Sequence, residues 1–266
     1  MTGGNSRGPG RLSSLRRLLL LPDADLLGLA EALSAQAAVG AISTAQLPEP
    51  VLASLRQRIL RPSTVRRPLH PLLPLRCPLF EQEVCDYREK ALTVGLVADW
   101  AAAQGLPQRH VLALEQAVDE LLLNALYDAP RDEHGQPRYA ALSPSERVGL
   151  RAQAGESARV RFASDGVRVA VGVSDAMGHL RRKTVLNYLV RCASAQARHQ
   201  SPIEHKKSGA GVGLFLTATA ASELLFRLRP GRLTEIVFCQ YLSRPRPLRV
   251  LVVDDHDPGN VSPLGL

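Results

Sequence analysis

Glu120 and Asn124 stand four residues apart in a stretch, 116–128, that reads as a helix. Four residues make about one turn, so the carboxylate and the carboxamide share one side of it. A pair so placed can orient a water or a hydroxyl and ligate a hard cation. Mg²⁺ takes oxygen ligands, keeps several waters and needs few protein groups beside substrate phosphates. The plain alternative is a polar pair on a solvated face. Asp175 stands three residues before Gly178, at the end of a run of alternating valines. Its carboxylate can accept from the exocyclic amino group of adenine, and the glycine lets a ring approach the backbone. An ordinary strand-end turn uses the same residues. Gly209, Gly211 and Gly213 can expose backbone N–H groups at a helix N-terminus, where phosphates bind, and Lys206 and Lys207 add charge there. A flexible glycine-rich turn is the other use of such a run.

Other chemistries are excluded by context. A dinucleotide-binding turn needs a hydrophobic strand directly before its glycines, whereas the residues before Gly209 are Ile-Glu-His-Lys-Lys-Ser. No GxxxxGK[ST] loop is present, and neither Ser157 nor Ser174 has the surroundings of a nucleophile elbow. Cysteines 77, 85, 192 and 239 form no CxxC pair, which argues against zinc and for reduced thiols in a cytoplasmic protein.

These groups need elements to hold them. Val111, Leu114, Val118, Leu121, Leu122 and Ala125 recur at steps of three and four, so they line the buried face of the helix that carries Glu120 and Asn124. A helix over 81–104 precedes it, with a break at Gly105 and Pro107. Residues 131–157 are polar and form a long insertion, with a short helix signalled by Ser143-Pro-Ser-Glu146. Strands are expected over 158–162 and 167–174, turned at Asp165-Gly166. A helix over 184–198, a polar basic segment over 200–208, a helix over 212–222 and strands over 224–228 and 233–241 follow. Ahead of all this lie a glycine- and serine-rich start, helices over 26–38 and 48–60, and a linker over 61–78 with five prolines.

The 266 residues carry a net charge of +8, which points to anionic partners: nucleotide phosphates or an acidic protein. No basic run is interleaved with aromatics, so nucleic acid is not the expected partner. The apolar run at 18–21 ends at Pro22, Asp23 and Asp25, too short for a signal peptide, and no stretch reaches the roughly 18 apolar residues of a membrane span.

The order of the pieces is informative: Glu-xxx-Asn helix, strand, Asp-x-x-Gly, basic segment, Gly-x-Gly-x-Gly, helix, strands. Over residues 80–242 this resembles the GHKL ATP-binding domain of gyrase-type ATPases, sensor histidine kinases and anti-sigma-factor serine kinases. The resemblance implies a two-layer α/β sandwich binding ATP and Mg²⁺. It implies Asn124 as the Mg²⁺ ligand, Glu120 as the base or water-orienting group, and Asp175 and Gly178 at the adenine. Gly209, Gly211 and Gly213 would contact phosphates, residues 181–208 would hold the lid position, and Thr234 would sit near the adenine. No His-Glu-x-x-x-Pro helix precedes the region, so the chain is most similar to the anti-sigma-factor serine kinases of bacterial partner switching. That implies transfer to a protein serine or threonine, with a sigma factor, an anti-anti-sigma-like protein or another signalling protein as partner.

The insertion at 131–157 and the first 75 residues depart from compact members of that group. They motivate an alternative: a nucleotide-dependent binding switch without phosphoryl transfer. The expected division is an N-terminal extension over 1–79, the ATP-binding domain over 80–242 and a tail over 243–266, with the extension open to several uses, homodimer formation among them. The tail contains Leu-Arg-Val-Leu-Val-Val-Asp-Asp-His, similar to the first strand and acidic pair of a receiver domain. Ten residues follow it, against the roughly one hundred a receiver still needs, so no phosphoacceptor is assigned there.

Overall fold

Eight strands form one sheet in the order β1-β2-β8-β6-β7-β5-β4-β3. They are β1 (Leu18–Leu21), β2 (Gly40–Ser43), β3 (Phe80–Val84), β4 (Ala158–Ser164), β5 (Arg168–Asp175), β6 (Glu223–Arg229), β7 (Leu233–Tyr241) and β8 (Val250–Asp254). β1 and β2 are parallel, as are β6 and β8; the other neighbours are antiparallel. The computed structural model describes residues 16–45, 47–60, 68–74, 76–139, 142–198, 212–243 and 246–255.

The helices are α1 (Leu26–Ala35), α2 (Glu49–Leu60), α3 (Tyr87–Ala103), α4 (Gln108–Leu123), α5 (Pro144–Arg147), α6 (Arg182–Ala197) and α7 (Val212–Ala220). Asp25 caps α1 by accepting from the Gly28 N–H at 3.0 Å, and Asp86 caps α3 by accepting from the Glu89 N–H at 2.8 Å. α4 runs on into a π-helical turn, Asn124–Asp128.

The strands alternate. Val169, Val171 and Val173 of β5 face a core shared with α1, α3, α4, α6 and α7, through residues such as Leu33, Val97, Leu121, Leu189 and Ala218. Ala170 of the same strand faces a second, smaller core with Leu55 and Ile59 of α2 and with Leu69, Leu72 and Leu73. Among the described residues the molecule is thus an α/β sandwich, with α1, α3, α4, α6 and α7 on one face of the sheet and α2 with the turn-rich segment 68–74 on the other. Gly172 makes room for that segment: a Cβ there would stand 2.9 Å from Leu69.

Several elements differ from the sequence expectation. Residues 80–84 are an edge strand, and the first long helix begins only at Tyr87, behind its Asp86 cap. The run Leu18–Leu21 is the opposite edge strand. The proline-rich stretch turns back onto the sheet at 68–74, where Arg58 donates to the Leu72 carbonyl at 2.8 Å. The receiver-like stretch is β8, an inner strand between β2 and β6 whose five residues are all buried. Its Asp254 is ion-paired with Arg16 and Arg229 at 3.2 and 3.1 Å. The sheet therefore takes strands from all three expected stretches of the chain.

Candidate functional site

Asp175 ends β5 directly opposite Thr234 on β7. Its Oδ1 accepts from the N–H groups of Met177 at 2.9 Å and Gly178 at 3.0 Å. Both bonds fall on one oxygen, so Oδ2 keeps acceptor capacity. The residue is 6% exposed, and burial pushes its carboxyl above the ordinary range, against the opposing effect of the Gly178 and Met177 N–H groups and the Thr234 side chain. Gly178 adopts φ +61°, and a Cβ there would meet the Arg229 carbonyl oxygen at 2.2 Å and the Arg232 nitrogen at 2.6 Å. Only glycine fits between this turn and the β6–β7 hairpin. The turn is tied to that hairpin by the Gly231 N–H donating to the Gly178 carbonyl at 3.2 Å. Asp175, Gly178 and Thr234 are one cluster.

Glu120 and Gly213 form a second. α4 packs against α7, and a Cβ on Gly213 would lie 2.8 Å from both Cβ and Oε2 of Glu120. The glycine lets the Glu120 side chain lie along the first turn of α7. Burial pushes the Glu120 carboxyl up; Asp119 and Asp128 add to this and Lys90 opposes it. Lys90, 3% exposed on α3, is ion-paired with Asp119.

Asn124 opens the π turn, one turn along from Glu120, and the Ala129 N–H donates to its carbonyl at 2.8 Å. Among the described residues its carboxamide has no hydrogen-bond partner. The wider turn packs on β5 and so sets the end of this helix beside the strand that carries Asp175. Lys206, Lys207, Gly209 and Gly211 lie outside the described residues.

Three residues of this region were not expected. Asp128 closes the π turn, and burial pushes its carboxyl up, opposed by Arg147 and Arg131. His179, next to Gly178, has its imidazole pushed down by burial and by Arg131, with Asp175 acting the other way. Arg131 thus bears on both the helix end and the Asp175 turn. Asp128, three residues before it, was within reach of a helical pattern, whereas the electrostatic effect of Arg131 on His179 depends on the fold alone.

A hard cation with phosphates fits the donor chemistry: an unpartnered carboxamide and a nearby carboxylate, rather than a closed protein cage. Among the described residues no three His, Cys, Asp or Glu side chains cluster as a metal site. No helix among the described residues is long and apolar enough to cross a membrane.

No protein-family model matches the chain, and no curated protein matches it. Among solved structures it is similar to the SiaB-SiaC complex from Pseudomonas aeruginosa, at 13% identity and a TM-score of 0.37, over 62% of this chain and 89% of that one.

Proposed function

We propose that the chain binds ATP with Mg²⁺ in a GHKL-type site and acts as a protein serine/threonine kinase of the anti-sigma-factor type. The observation that carries this is the Glu120–Gly213 contact. It brings a carboxylate of raised proton affinity against the helix that follows the glycine run. Support comes also from the Asp175–Gly178–Thr234 cluster, where a buried carboxylate held by the Met177 and Gly178 N–H groups and by the Thr234 side chain keeps lone-pair capacity for a further donor such as an exocyclic amino group.

Bound Mg·ATP would supply a γ-phosphoryl group with its charge partly neutralised by the metal. Asn124 would hold the metal through its amide oxygen. Asp175 would orient the base, with Gly178 allowing close approach. Glu120 would accept the proton of a protein serine hydroxyl as that oxygen bonds to phosphorus, and ADP would leave. Burial pushes its carboxyl above the ordinary range, the direction that makes a carboxylate a stronger base. Positioning would supply most of the acceleration.

The test is ADP release by the full chain with Mg·ATP and an anti-anti-sigma-type protein bearing an acceptor serine. Glu120→Ala should lose turnover, by on the order of a hundredfold or more for removal of a general base, while still binding ATP. Turnover that survives the substitution contradicts the assignment.

One observation favours the alternative of a non-catalytic switch. α6, in the lid position, is packed on α1 and fastened by Arg182, which donates to the carbonyls of Val253, Leu33 and Ala38 at 2.6, 3.1 and 2.7 Å. A nucleotide that altered this contact would alter the N-terminal surface. Under that reading Glu120→Ala leaves partner regulation intact.

A further inference from the structure

Gly178 is held from two sides. On one lies the β6–β7 hairpin, whose Arg229 carbonyl oxygen would be 2.2 Å from a Cβ at this position, and whose Gly231 N–H donates to the Gly178 carbonyl at 3.2 Å. On the other lies the chain that leaves the turn. Arg181 donates to the same Gly178 carbonyl at 2.8 Å, and Arg182 opens α6 directly after it. The Asp175 carboxylate depends on this turn, because the Met177 and Gly178 N–H groups that hold its Oδ1 belong to it.

Both sides are anchored on the last two residues of β8. The Arg229 guanidinium crosses to Asp254, donating to its carbonyl at 2.8 Å and pairing with its carboxylate at 3.1 Å. Arg182 donates to the carbonyl of Val253 at 2.6 Å, and beyond it to those of Leu33 and Ala38. The Arg229 and Asp254 side chains are 14% and 9% exposed, so the pair is shielded from solvent and holds a fixed geometry. β8 is an inner strand, in register with β6 through Arg227 and Asp254 and with β2 through Gly40 and Val252. Its end is therefore set by the sheet on both sides. Among the described residues neither Arg229 nor Arg182 bonds to Asp175, so any effect they have on its carboxylate passes through the backbone of the turn.

We propose that the end of β8 is the seat of the Asp175–Gly178 turn: Arg229 and Arg182 are positioning residues that hold Gly178 from its two sides, and so couple the strands from the ends of the chain, β1, β2 and β8, to recognition of the nucleobase at Asp175. The nucleobase part rests on the nucleotide reading above; the positioning of the turn does not. The consequence is selective. Loosening the seat moves the Asp175 carboxylate relative to the adenine amino group. Glu120 and Asn124, on α4 and its π turn, are held by other contacts and keep their place at the metal and phosphates.

Amide hydrogen exchange by NMR and calorimetric titration of the full chain test it, on wild type, Arg229→Ala, Arg229→Lys and Arg16→Ala, with matching circular dichroism confirming that each variant folds. Arg16 pairs with the same Asp254 carboxylate at 3.2 Å but belongs to neither side of the turn, so its substitution reports a purely structural loss. In the nucleotide-free protein Arg229→Ala should speed exchange of the Met177 and Gly178 amides by about tenfold or more, whereas Arg16→Ala should leave it within about twofold. The titrations compare Mg·ATP with Mg·ITP, whose base carries an oxygen in place of the amino group. Arg229→Ala should lower the preference for ATP about tenfold with ITP affinity unchanged, and Arg229→Lys, which keeps a charged donor for Asp254, should recover most of it. Unchanged exchange in Arg229→Ala, or the same acceleration in Arg16→Ala, overturns the proposal. Equal weakening of ATP and ITP overturns it as well. A wild type that binds neither nucleotide, or both alike, counts against the nucleotide reading instead, and the exchange result then decides the positioning by itself.

Discussion

The two clusters place different demands on their glycines. Gly178 sits at φ +61° with backbone atoms closer than 3 Å to any Cβ, and backbone cannot move aside as a side chain can. Gly178→Ala should therefore destabilise the fold by about 2–4 kcal/mol, measured by urea unfolding; a loss below ~0.5 kcal/mol would contradict the geometry. Glu120 carries a pH signature. Its raised carboxyl pKa means that the folded state holds the proton more tightly than the unfolded chain does. Stability is then lost as pH rises from the ordinary carboxylate range through the raised value. Glu120→Gln removes this dependence. Its unfolding midpoint in urea should match wild type below pH ~4 and equal or exceed it at pH 7. A variant that becomes progressively weaker than wild type with rising pH contradicts the burial argument. At this scale the sequence was informative. Glu120, Asn124, Asp175 and Gly178 are all set by local spacing, because one helical turn and one tight turn fix them. The charge of Arg131 beside His179 was not legible, since only the fold brings its influence to bear there.

Elements were legible where period and cap agreed. The alternating valines of β5 and the Asp165-Gly166 turn announced the β4–β5 hairpin, and Gly166 takes φ +79° as such a turn requires. β3 was hidden because Phe-Glu-Gln-Glu-Val also suits the start of a helix; only its pairing with β4, from Phe80 opposite Phe162 to Val84 opposite Ala158, decides the matter. α6 ends where expected, but its attachment through Arg182 to carbonyls of β8, of α1 and of the α1–β2 connection joins residues 71, 149 and 144 positions apart. Three charge-assisted hydrogen bonds end on that one guanidinium. Arg182→Ala should cost about 2–4 kcal/mol, with sharing between the bonds keeping it below their simple sum. Urea unfolding checks this, and a cost under ~0.5 kcal/mol would mean that the clamp carries no weight.

Across the whole molecule, the sheet is closed by short strands from both ends of the chain. β1, β2 and β8 have four, four and five residues, too few for a period to distinguish strand from buried helix or loose tail. Their partners are as far apart in sequence as Gly40 and Val252. No local signal can report such a pairing. The consequence is testable: a chain ending before Val250 loses the strand between β2 and β6 and uncovers both. Buried Leu251, Val252 and Val253 alone represent about 5 kcal/mol or more of apolar burial, so the truncated chain should fail to unfold cooperatively by circular dichroism. A sharp transition near that of the full chain would instead make β8 an appendage.

Calorimetric titration of the full chain with ATP, with and without Mg²⁺, on wild type and on Asp175→Asn, bears most directly on the nucleotide site. Asparagine keeps an oxygen for the Met177 and Gly178 N–H groups but removes the carboxylate that would hold the adenine amino group. Wild type should bind ATP in a Mg²⁺-dependent manner, and Asp175→Asn should bind at least about tenfold more weakly with its fold unchanged. Equal binding by the two proteins, or no heat from wild type at millimolar ATP, would contradict the account.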